Sequence, residues 1–422
     1  MPNAGKSQVM NTFKGINNVL PADKSLEGYL KELVNLDIDK SNNLTKRKGF
    51  TSTDVASYHS LWSDGLSMFA VRNGDLVQIK IDSSYTTLVS SIGDSKVSFE
   101  YIDGTYYYTS KSHNGKIRNG SVVPWGITPP NLQLDLTETT GTLDAGSYQV
   151  SYTYETADGR ESGSNIATVI EVNSASGITV NNIQQSSNSE VTLVNLYITQ
   201  TNGDMFYRIG QMPNGTTSAT ITAMNGDRPL ETFNLWDAPK GSIVRWAHGR
   251  LYIAQGNIVW WSQPYQYDLF NIKDDYGYFD EEVTSLCPTP GGLWVSSDKI
   301  YYVSGKDPSN AKLTEKELAQ VVRGSEVKFS GAYIFIENTP LGYKWLVTTD
   351  RGIFVLFNDG VILNISEQNI SMPKAFDAAA GFIQEDGINR YVSLLREKEG
   401  SNNTAIGDMV TSTIVRNGIT IT

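Results

Sequence analysis

The sequence predicts an all-β protein, a β-propeller of five or six blades that carries one inserted β-sandwich of the fibronectin III or immunoglobulin type. Three observations lead to this prediction. The 422 residues include 22 Tyr and 37 Gly, a composition typical of short strands joined by tight turns. A glycine-turn hairpin signal recurs along the chain at a nearly regular spacing. That spacing fails once, where the composition of the chain also changes.

The repeated signal is a turn dipeptide that ends in glycine and leads into a short strand of aromatic and β-branched residues. Six segments have this form: DGLSMFAVR (64–72), DGTYYYTSK (103–111), HGRLYIAQG (248–256), GGLWVSSDK (291–299), SGAYIFIEN (330–338) and DGINRYVSL (386–394). We expect their glycines to occupy the turns, namely Gly65, Gly104, Gly249, Gly292, Gly331 and Gly387. A second turn follows in four repeats, at residues 73–74, 255–257, 296–298 and 350–352. Each repeat is therefore predicted to be a meander of consecutive hairpins.

The spacing of the turn glycines predicts both the blades and an insertion. Three of the five successive gaps are 39, 43 and 39 residues, close to the roughly 40–50 residues of one four-stranded blade. The last gap is 56 residues, whereas Gly104 and Gly249 are 145 residues apart. Removing about 100 residues from that gap restores the spacing. We therefore predict an N-terminal arm with the first blades at 1–127, an inserted sandwich at 128–230, and the remaining blades with the C-terminal closure at 231–422. An irregular sandwich or two small barrels is the alternative for such a series of hairpins.

Composition and alternation both indicate that the insert is a sandwich. Residues 131–226 contain no Trp, Lys or Cys, and they hold nine acidic residues against two Arg, which accounts for −7 of the net charge of −11. In GSYQVSYTYET, residues Tyr148, Val150, Tyr152 and Tyr154 alternate with polar residues, which predicts a strand with one buried face. About seven short strands in about 100 residues favour a fibronectin-type sandwich.

Both ends of the chain are expected to help close the propeller. SLEGYL (25–30) has the composition of a short helical turn, while ELVNLDID (32–39) and LTKRKGF (44–50) are predicted strands. The terminal TSTIVRNGITIT (411–422) predicts a hairpin around an Asn-Gly turn. We expect both chain ends to pair in one blade.

The residue types that usually carry catalysis are few and scattered. His59, His113 and His248 lie in different repeats at no metal-ligand spacing, and Cys287 is the single cysteine, so we predict no catalytic residue, metal site, cofactor or disulfide. The N-terminus lacks the apolar core of a signal peptide, and no stretch approaches ~18 apolar residues. We therefore expect folding in a reducing cytoplasm. The net charge of −11 also argues against tight DNA binding, because basic side chains supply that affinity.

Two segments are the strongest candidates for a functional surface. The run DDYGYFDEE (274–282) is the densest acidic stretch, and we interpret it as a solvated loop between blades at a channel or interface surface; it lacks the spacing of an EF-hand. Its carboxylates are Asp274, Asp275, Asp280, Glu281 and Glu282. A nearby aromatic group offers a stacking surface for a sugar, although adjacent strand residues face opposite sides, so only one of its two tryptophans can share that surface. The group consists of Trp260, Trp261, Tyr265 and Tyr267.

Several segments together resemble virion structural proteins of tailed bacteriophages. The opening FKGINN (13–18), followed by ELVNLDID and LTKRKGF, is similar to the N-terminus of these proteins. Further segments with this resemblance are KGSIVRW (240–246), GRLYIAQGNIVWWSQP (249–264) and VTSLCPTPGGLWVSSDKIYYVSGKDP (283–308). The insert, with SYTYETADGRESG (151–163), is similar to the fibronectin-like lobes found in such proteins.

The resemblance implies a propeller-based component of the virion tail, such as the nozzle or hub of a short tail or a connector, made in the cytoplasm of the bacterial host. It implies a homo-oligomeric ring, often of six copies, around the path of the DNA, which passes without sequence recognition. Other tail proteins, such as an adaptor, fibres or spikes, are the implied partners. Two alternatives stay open: an adhesin that binds a host-surface glycan, and a propeller that cleaves polysaccharide. The latter lacks the repeated Ser-x-Asp-x-Gly-x-Thr-Trp turn of sialidases.

Overall fold

The computed structural model describes residues 12–49, 51–330, 342–385, 388–396, 409–410, 414–416 and 419–421. The prediction of an all-β protein is confirmed: across these residues the only helical elements are the short 3-10 turns Ala22–Lys24 and Pro308–Asn310. No helix in the described part of the chain is long and apolar enough to cross a membrane. The chain forms two compact units, which we call the central unit (Ser57–Tyr278) and the terminal unit (Met1–Ala56 with Phe279–Thr422).

The N-terminal arm belongs to the terminal unit and contains short strands. They are β1 (Gly15–Ile16), β2 (Tyr29–Leu30), β3 (Leu36–Ile38) and β4 (Leu44–Lys46). β1 and β2 pair in parallel, and β3 and β4 form the predicted hairpin. The prediction of a helical turn at 25–30 is wrong: the chain bends at Gly28, with φ of +91°, and enters β2. A helix this short gains too few hydrogen bonds to offset its nucleation.

Asn17 and Asn18 attach the arm to a later segment of the same unit. The backbone N–H of Asn18 donates to the carbonyl of Asn369 at 3.1 Å. In return, the backbone N–H of Ser371 donates to Oδ1 of Asn18 at 2.7 Å. No N-terminal strand pairs with a C-terminal strand within the described ranges, so the expected shared blade is not formed there. Nδ2 of Asn17 also donates to Oδ1 of Asn369 at 3.4 Å, so both asparagines hold the arm against this segment.

Two meander sheets precede the insert in the central unit. Sheet A consists of β5 (Tyr58–Ser63), β6 (Met68–Arg72), β7 (Asp75–Ile79) and β8 (Tyr85–Val89). Sheet B consists of β9 (Ser98–Ile102), β10 (Thr105–Thr109), β11 (Asn114–Arg118) and β12 (Ser121–Val123). Each strand pairs antiparallel with the next one along the chain. One apolar core, with Phe69 and Val71 from sheet A and Phe99 and Ile117 from sheet B, joins the two sheets.

The insert follows as two sheets that enclose a common core. Its strands are β13 (Asp135–Leu143), β14 (Gly146–Thr156), β15 (Thr168–Val172), β16 (Ser176–Asn181), β17 (Val191–Thr199), β18 (Phe206–Pro213) and β19 (Ser218–Ile221). One sheet has the order β13-β16-β19 and the other β15-β14-β17-β18. We call this region the inserted sandwich. Its order differs from that of an immunoglobulin constant domain, which places the first, second, fourth and fifth strands in one sheet.

The alternation read in β14 correctly identifies the face toward this core. Tyr148, Val150, Tyr152 and Tyr154 are all buried in it, with residues of both sheets. The opposite face is covered as well, which the alternation does not predict. Ser151 is fully buried, and its Oγ donates to Oδ1 of Asn165 at 2.8 Å. The segment between β14 and β15 folds back over that face of the sheet.

Sheet C follows the insert and packs on sheet B. It consists of β20 (Ile243–Ala247), β21 (Arg250–Gln255), β22 (Ile258–Gln263), β23 (Gln266–Phe270) and β24 (Tyr276–Tyr278), the last paired with β22. Their shared core contains Tyr107 from sheet B together with Leu251, Ile253 and Phe270 from sheet C. The backbone N–H of Val244 also donates to Oγ of Ser98 at 3.1 Å. Sheets A, B and C are therefore packed in series.

The terminal unit repeats this arrangement in three further sheets. Sheet D consists of β25 (Ser285–Thr289), β26 (Gly292–Ser296), β27 (Ile300–Ser304) and β28 (Lys312–Glu317). Sheet E consists of β29 (Val327–Ser330), β30 (Tyr343–Thr349), β31 (Gly352–Leu356) and β32 (Ile362–Asn364). Sheet F consists of β33 (Asp377–Glu385), β34 (Ile388–Arg396), β35 (Met409–Val410), β36 (Ile414–Arg416) and β37 (Ile419–Ile421). The pairing of β36 with β37 confirms the predicted C-terminal hairpin.

Buried aromatic side chains hold sheets D, E and F in series. The indole N–H of Trp294 in sheet D donates to the carbonyl of Phe357 at 2.9 Å, and that of Trp345 in sheet E donates to the carbonyl of Pro288 at 2.7 Å. Tyr391 of sheet F is fully buried against sheet E, and its hydroxyl donates to the carbonyl of Ser325 at 2.6 Å. Burial raises the pKa of Tyr391 well above its usual value. Cys287 is buried beside Trp294.

The turn glycines divide into two groups. Gly65, Gly104 and Gly249 have φ of +89°, +82° and +76°, so they occupy left-handed turn positions as predicted. Gly292 does not, and that prediction is wrong: it pairs with Thr289 as the first residue of β26. A Cβ there would lie 2.2 Å from the carbonyl oxygen of Val303, so close packing rather than the turn requires this glycine. Gly331 and Gly387 lie outside the described residues.

The strands place the sandwich between sheet B and sheet C along the chain. β12 ends at Val123 and β20 begins at Ile243, and the inserted sandwich lies between them. The sandwich nevertheless clusters with sheets A, B and C in the central unit. Contacts between the sandwich and its flanking sheets, described below, are the physical reason for this clustering.

Candidate functional sites

The acidic run 274–282 is only partly a loop, and its carboxylates fall in both units. In the central unit, Asp274 is exposed, whereas Asp275 accepts a hydrogen bond from Nε2 of Gln263 at 2.6 Å. The residues that follow form β24, which pairs with β22, so the interpretation of the whole run as a solvated loop is wrong. Alternating Tyr276 and Tyr278 permit this extra edge strand.

In the terminal unit, the rest of the run is fixed by its neighbours. Oγ of Ser297 donates to the carbonyl of Glu281 at 2.7 Å, while Glu282 forms an ion pair with Arg323 at 2.8 Å. The carboxylates of Asp280 and Glu281 belong to exposed residues. Across the described parts of the chain, no three His, Cys, Asp or Glu side chains are grouped to hold a metal ion. Asp274, Asp280 and Glu281 therefore form the exposed acidic set of this run.

The four aromatic candidates do not form one stacking surface. Trp261 is only 8% exposed, whereas Trp260 packs on Tyr276 of β24 with ring centroids 5.3 Å apart. The two tryptophans thus face opposite sides of β22, as predicted. Tyr267 lies against Tyr107 at 6.0 Å between ring centroids, and its hydroxyl accepts a hydrogen bond from the indole of Trp246 at 3.1 Å.

Tyr265 is the one member of this group that projects from the surface. Its side chain is 78% exposed, and its φ of +57° is unusual for an aromatic residue. The ring lies over the turn at Gly249, where a Cβ would come within 2.8 Å of the ring. The backbone N–H of Tyr265 donates to the carbonyl of Gly249 at 2.7 Å. Gly249 leaves room for the ring of Tyr265, and the backbone hydrogen bond between them holds Tyr265 over the turn.

A partly buried ion network in the central unit was not predicted from the sequence. Lys116 of β11 has a side chain that is 0% exposed, and its Nζ lies 2.6 Å from Oδ2 of Asp268 in β23. The same carboxylate oxygen lies 3.5 Å from Nη1 of Arg160 in the inserted sandwich. Burial lowers the pKa of Lys116, against the attraction of Asp268. One carboxylate thus joins sheet B, sheet C and the sandwich.

Arg160 extends this network into the sandwich. Its Nε lies 2.9 Å from Asp158, and its Nη2 lies 3.2 Å from Glu190. In the sequence, Asp158 and Arg160 belong to what reads as an ordinary polar turn, DGRESG. Nothing in the one-dimensional pattern places that turn 108 residues away beside Asp268. The segment NGKIR gave no signal either, because Lys116 is one of two basic residues in it and nothing in its pattern marks this lysine as buried.

A second network fastens the other end of the insert. Arg228, just beyond β19, lies 3.2 Å from Glu155 and 3.1 Å from Glu161. Glu161 also accepts a hydrogen bond from the hydroxyl of Tyr197 at 2.6 Å. Burial, with the hydrogen bond to Glu161, raises the pKa of Tyr197 well above its usual value. These polar side chains stabilise the point where the chain leaves the sandwich, so their contacts are structural.

Comparisons with known proteins add little. No family model and no curated protein matches the sequence. Among solved structures, the chain is similar to BBS1N in complex with ARL6DN, at 11% identity and a TM-score of 0.33 over 81% of this chain and 89% of that one. It is also similar to virginiamycin B lyase from Staphylococcus aureus, at 13% identity and a TM-score of 0.29 over 82% and 92%, and to Saccharomyces cerevisiae Sqt1, at 12% identity and a TM-score of 0.22 over 72% and 83%. At these TM-scores the likenesses support no inference about this chain.

Proposed function

We propose that this protein is a structural subunit of a bacteriophage tail, a six-bladed propeller with a fibronectin-like lobe that assembles into a ring around the DNA path. The observation that carries the proposal is that the buried polar and aromatic side chains connect one sheet to the next, or the lobe to its flanking sheets. Lys116, Asp268 and Arg160 tie the lobe to two sheets, and Trp294 and Trp345 tie sheet to sheet. Each compact unit is therefore braced from within by these contacts, which suits a tail component that bears load. The resemblance of the N-terminal and sheet C segments supports the same function.

In this proposal sheets A to F are the six blades, and copies pack side by side through a heterologous interface that closes into a ring. Acidic groups that face the DNA path repel phosphates, so the DNA passes without adhering. The lobe, with −7 of the charge, is peripheral and contacts fibres or a neighbouring ring. The protein belongs to the virion and is made in the bacterial cytoplasm.

Assembly is the direct test. We expect the purified chain, alone or mixed with the tail proteins encoded beside its gene, to form closed rings in negative-stain electron microscopy, often with six copies. Mass photometry should give a discrete oligomer mass. A chain that stays monomeric in the presence of those tail proteins and binds a host-surface glycan would contradict the proposal and favour the adhesin.

Neutralising the exposed acidic set tests the role of charge along the DNA path. The variant Asp274→Asn, Asp280→Asn, Glu281→Gln spares Asp275 and Glu282, whose contacts are structural. We expect rings to form normally and DNA ejection to slow by up to about tenfold at low ionic strength, with a smaller effect in physiological salt. Ejection is measured by dye release from phage that carry the variant.

The matched control neutralises three exposed acids of the lobe, Asp135→Asn, Asp144→Asn and Glu171→Gln. It removes the same charge from a surface that the proposal places away from the DNA. Equal slowing by both variants would show that only net charge matters and would refute a specific role for the run.

A further inference from the structure

A cleft of about 840 Å³ opens at the base of the inserted sandwich. One wall comes from the segment 184–188 between β16 and β17, and the other comes from the chain that leaves sheet B and the chain that enters sheet C. All of its lining residues belong to the central unit. The volume falls in the range of about 300–1,000 Å³ typical of small-molecule sites.

The lining combines apolar and polar side chains, and its polar part is almost neutral. Five carboxamide side chains contribute to it: Asn114, Asn131, Gln184, Gln185 and Asn188. The charged lining residues are one carboxylate, Asp237, and one ammonium, Lys240. A carboxamide both donates and accepts hydrogen bonds, and so does a hydroxyl group. The chemistry of the walls therefore complements a ligand rich in hydroxyl groups and without net charge.

Hydrogen bonds hold these walls in place before any ligand arrives. Oε1 of Gln184 accepts from the backbone N–H of Asn131 at 3.1 Å, and the hydroxyl of Tyr154 donates to the carbonyl of Gln184 at 2.9 Å. On the opposite wall, Nδ2 of Asn114 donates to the carbonyl of Ala238 at 2.7 Å.

Each of these amides keeps one polar atom for a ligand. Among the described residues, Nε2 of Gln184 and Oδ1 of Asn114 have no hydrogen-bond partner. Oδ1 of Asn188 accepts from the backbone N–H of Glu190 at 3.0 Å, which leaves its Nδ2 similarly available in the described structure. The cleft is thus pre-organised, which lowers the entropy lost on binding.

We propose that this cleft binds a short neutral oligosaccharide. The five carboxamides and the carboxylate would pair with sugar hydroxyls, because a planar amide both donates and accepts hydrogen bonds and a carboxylate accepts them, in directions that suit neighbouring hydroxyls. An anionic ligand such as a phosphate would meet a single ammonium beside a carboxylate. An extended peptide would need a sheet edge, but β12 is three residues long and is followed by Pro124, which has no N–H to donate.

Asp237 supports the assignment. Its Oδ2 accepts a hydrogen bond from the hydroxyl of Thr128 at 2.8 Å. Burial raises the pKa of this carboxyl group, although the Thr128 hydrogen bond opposes the shift. A ligand hydroxyl that donates to this carboxylate would replace part of its lost solvation. This inference goes beyond the structural role proposed above, since it assigns a ligand site to the lobe base whether or not rings form.

The test uses the full chain on a microarray of neutral and anionic oligosaccharides, followed by isothermal titration calorimetry with the best neutral hit. Ser187→Trp places an indole in the cleft from an exposed lining position, and we expect it to weaken binding at least about tenfold. The matched control is Ser189→Trp, two residues along the same segment, exposed and outside the lining. It should leave affinity unchanged within about twofold.

Lys240→Gln separates neutral from anionic ligands, because it removes the charge and keeps a donor. We expect unchanged affinity for the neutral hit. Binding of anionic glycans or peptides alone, equal affinity of Ser187→Trp and wild type, or no binding at millimolar sugar would each overturn the proposal. Because calorimetry is done on the isolated chain, a failure to form rings would not affect its outcome.

Discussion

Replacing Asp268 with leucine should destabilise the central unit by about 3–5 kcal/mol. The carboxylate of Asp268 lies 2.6 Å from Nζ of Lys116, whose side chain is 0% exposed. Removing the acid leaves a buried ammonium without its counter-charge, and breaking a buried pair in this way is strongly destabilising. The measurement is chemical denaturation of the wild type and the Asp268→Leu variant at pH 7.

The double variant Lys116→Met, Asp268→Leu is the control. Replacing both charges with apolar side chains of similar size is often nearly neutral, so we expect stability within about 1 kcal/mol of wild type. Arg160 keeps Asp158 and Glu190 as partners. Two results would contradict this role of the ion pair. One is a loss of less than about 1 kcal/mol of unfolding free energy in the single variant, and the other is a double variant that is no more stable than the single one.

The pH dependence of the single variant follows from the same group. Burial already lowers the pKa of Lys116 in the folded state, and loss of Asp268 should lower it further because the attraction opposing the burial effect is removed. Between the lowered folded value and the ordinary value near 10.5, the unfolded chain binds more protons than the folded chain. The unfolding free energy of Asp268→Leu should therefore rise with pH through that window. A flat profile would contradict this assignment.

Gly163→Ala should destabilise the same unit by about 3 kcal/mol or more and reduce the yield of folded protein. Gly163 lies in the segment that covers the outer face of β14, and a Cβ at this position would lie 1.6 Å from the carbonyl oxygen of Leu235. That atom belongs to backbone, so the added methyl group cannot be relieved by a side-chain rotation. The chain entering sheet C would have to move away from the sandwich. Thermal and chemical denaturation measure the loss.

Gly210→Ala is the matched control for this substitution. Gly210 is in β18 of the same sandwich, its φ lies outside the left-handed region, and no atom lies within 4 Å of the added Cβ. We expect stability equal to wild type or slightly higher, since alanine reduces the freedom of the unfolded chain. Equal effects of the two substitutions would show that the contact with Leu235 is not tight.

The close packing of the sandwich against Leu235 and its ion pair with Asp268 explain why the sandwich forms one compact unit with its flanking sheets. A gap in the glycine repeat and the alternation in β14 predicted a sandwich in this part of the sequence. The alternation did not predict that the face of β14 carrying Ser151 and Thr153 is buried too. Alternation reports which residues are apolar, whereas small hydroxyl side chains bury equally well once a neighbouring segment supplies hydrogen bonds.

The candidate sites show the same difference between what the sequence pattern predicts and what the folded chain brings together. Of the two surfaces expected from composition, the acidic run is partly a strand and the aromatic group is dispersed, with Trp261 buried and Tyr265 exposed. No pattern in the sequence indicated the cleft. Asn114, Gln184 and Asp237 come from distant segments, and isolated Asn and Gln residues form no recognisable motif. Such a site exists only after the insert has folded against sheets B and C.

The sequence by itself determined the local structure of this protein. Turn dipeptides, aromatic and β-branched runs and period-two alternation depend on a few neighbouring residues, so the all-β class and the meander hairpins could both be read from it. Only the tertiary structure decided which polar groups meet. The pairing of Lys116 with Asp268 and the close approach of Gly163 to Leu235 each join residues more than 70 positions apart, and the walls of the cleft come from segments on both sides of the insert as well as from within it. Contacts at that separation depend on how sheets pack, and packing is a property of the folded chain rather than of any short segment.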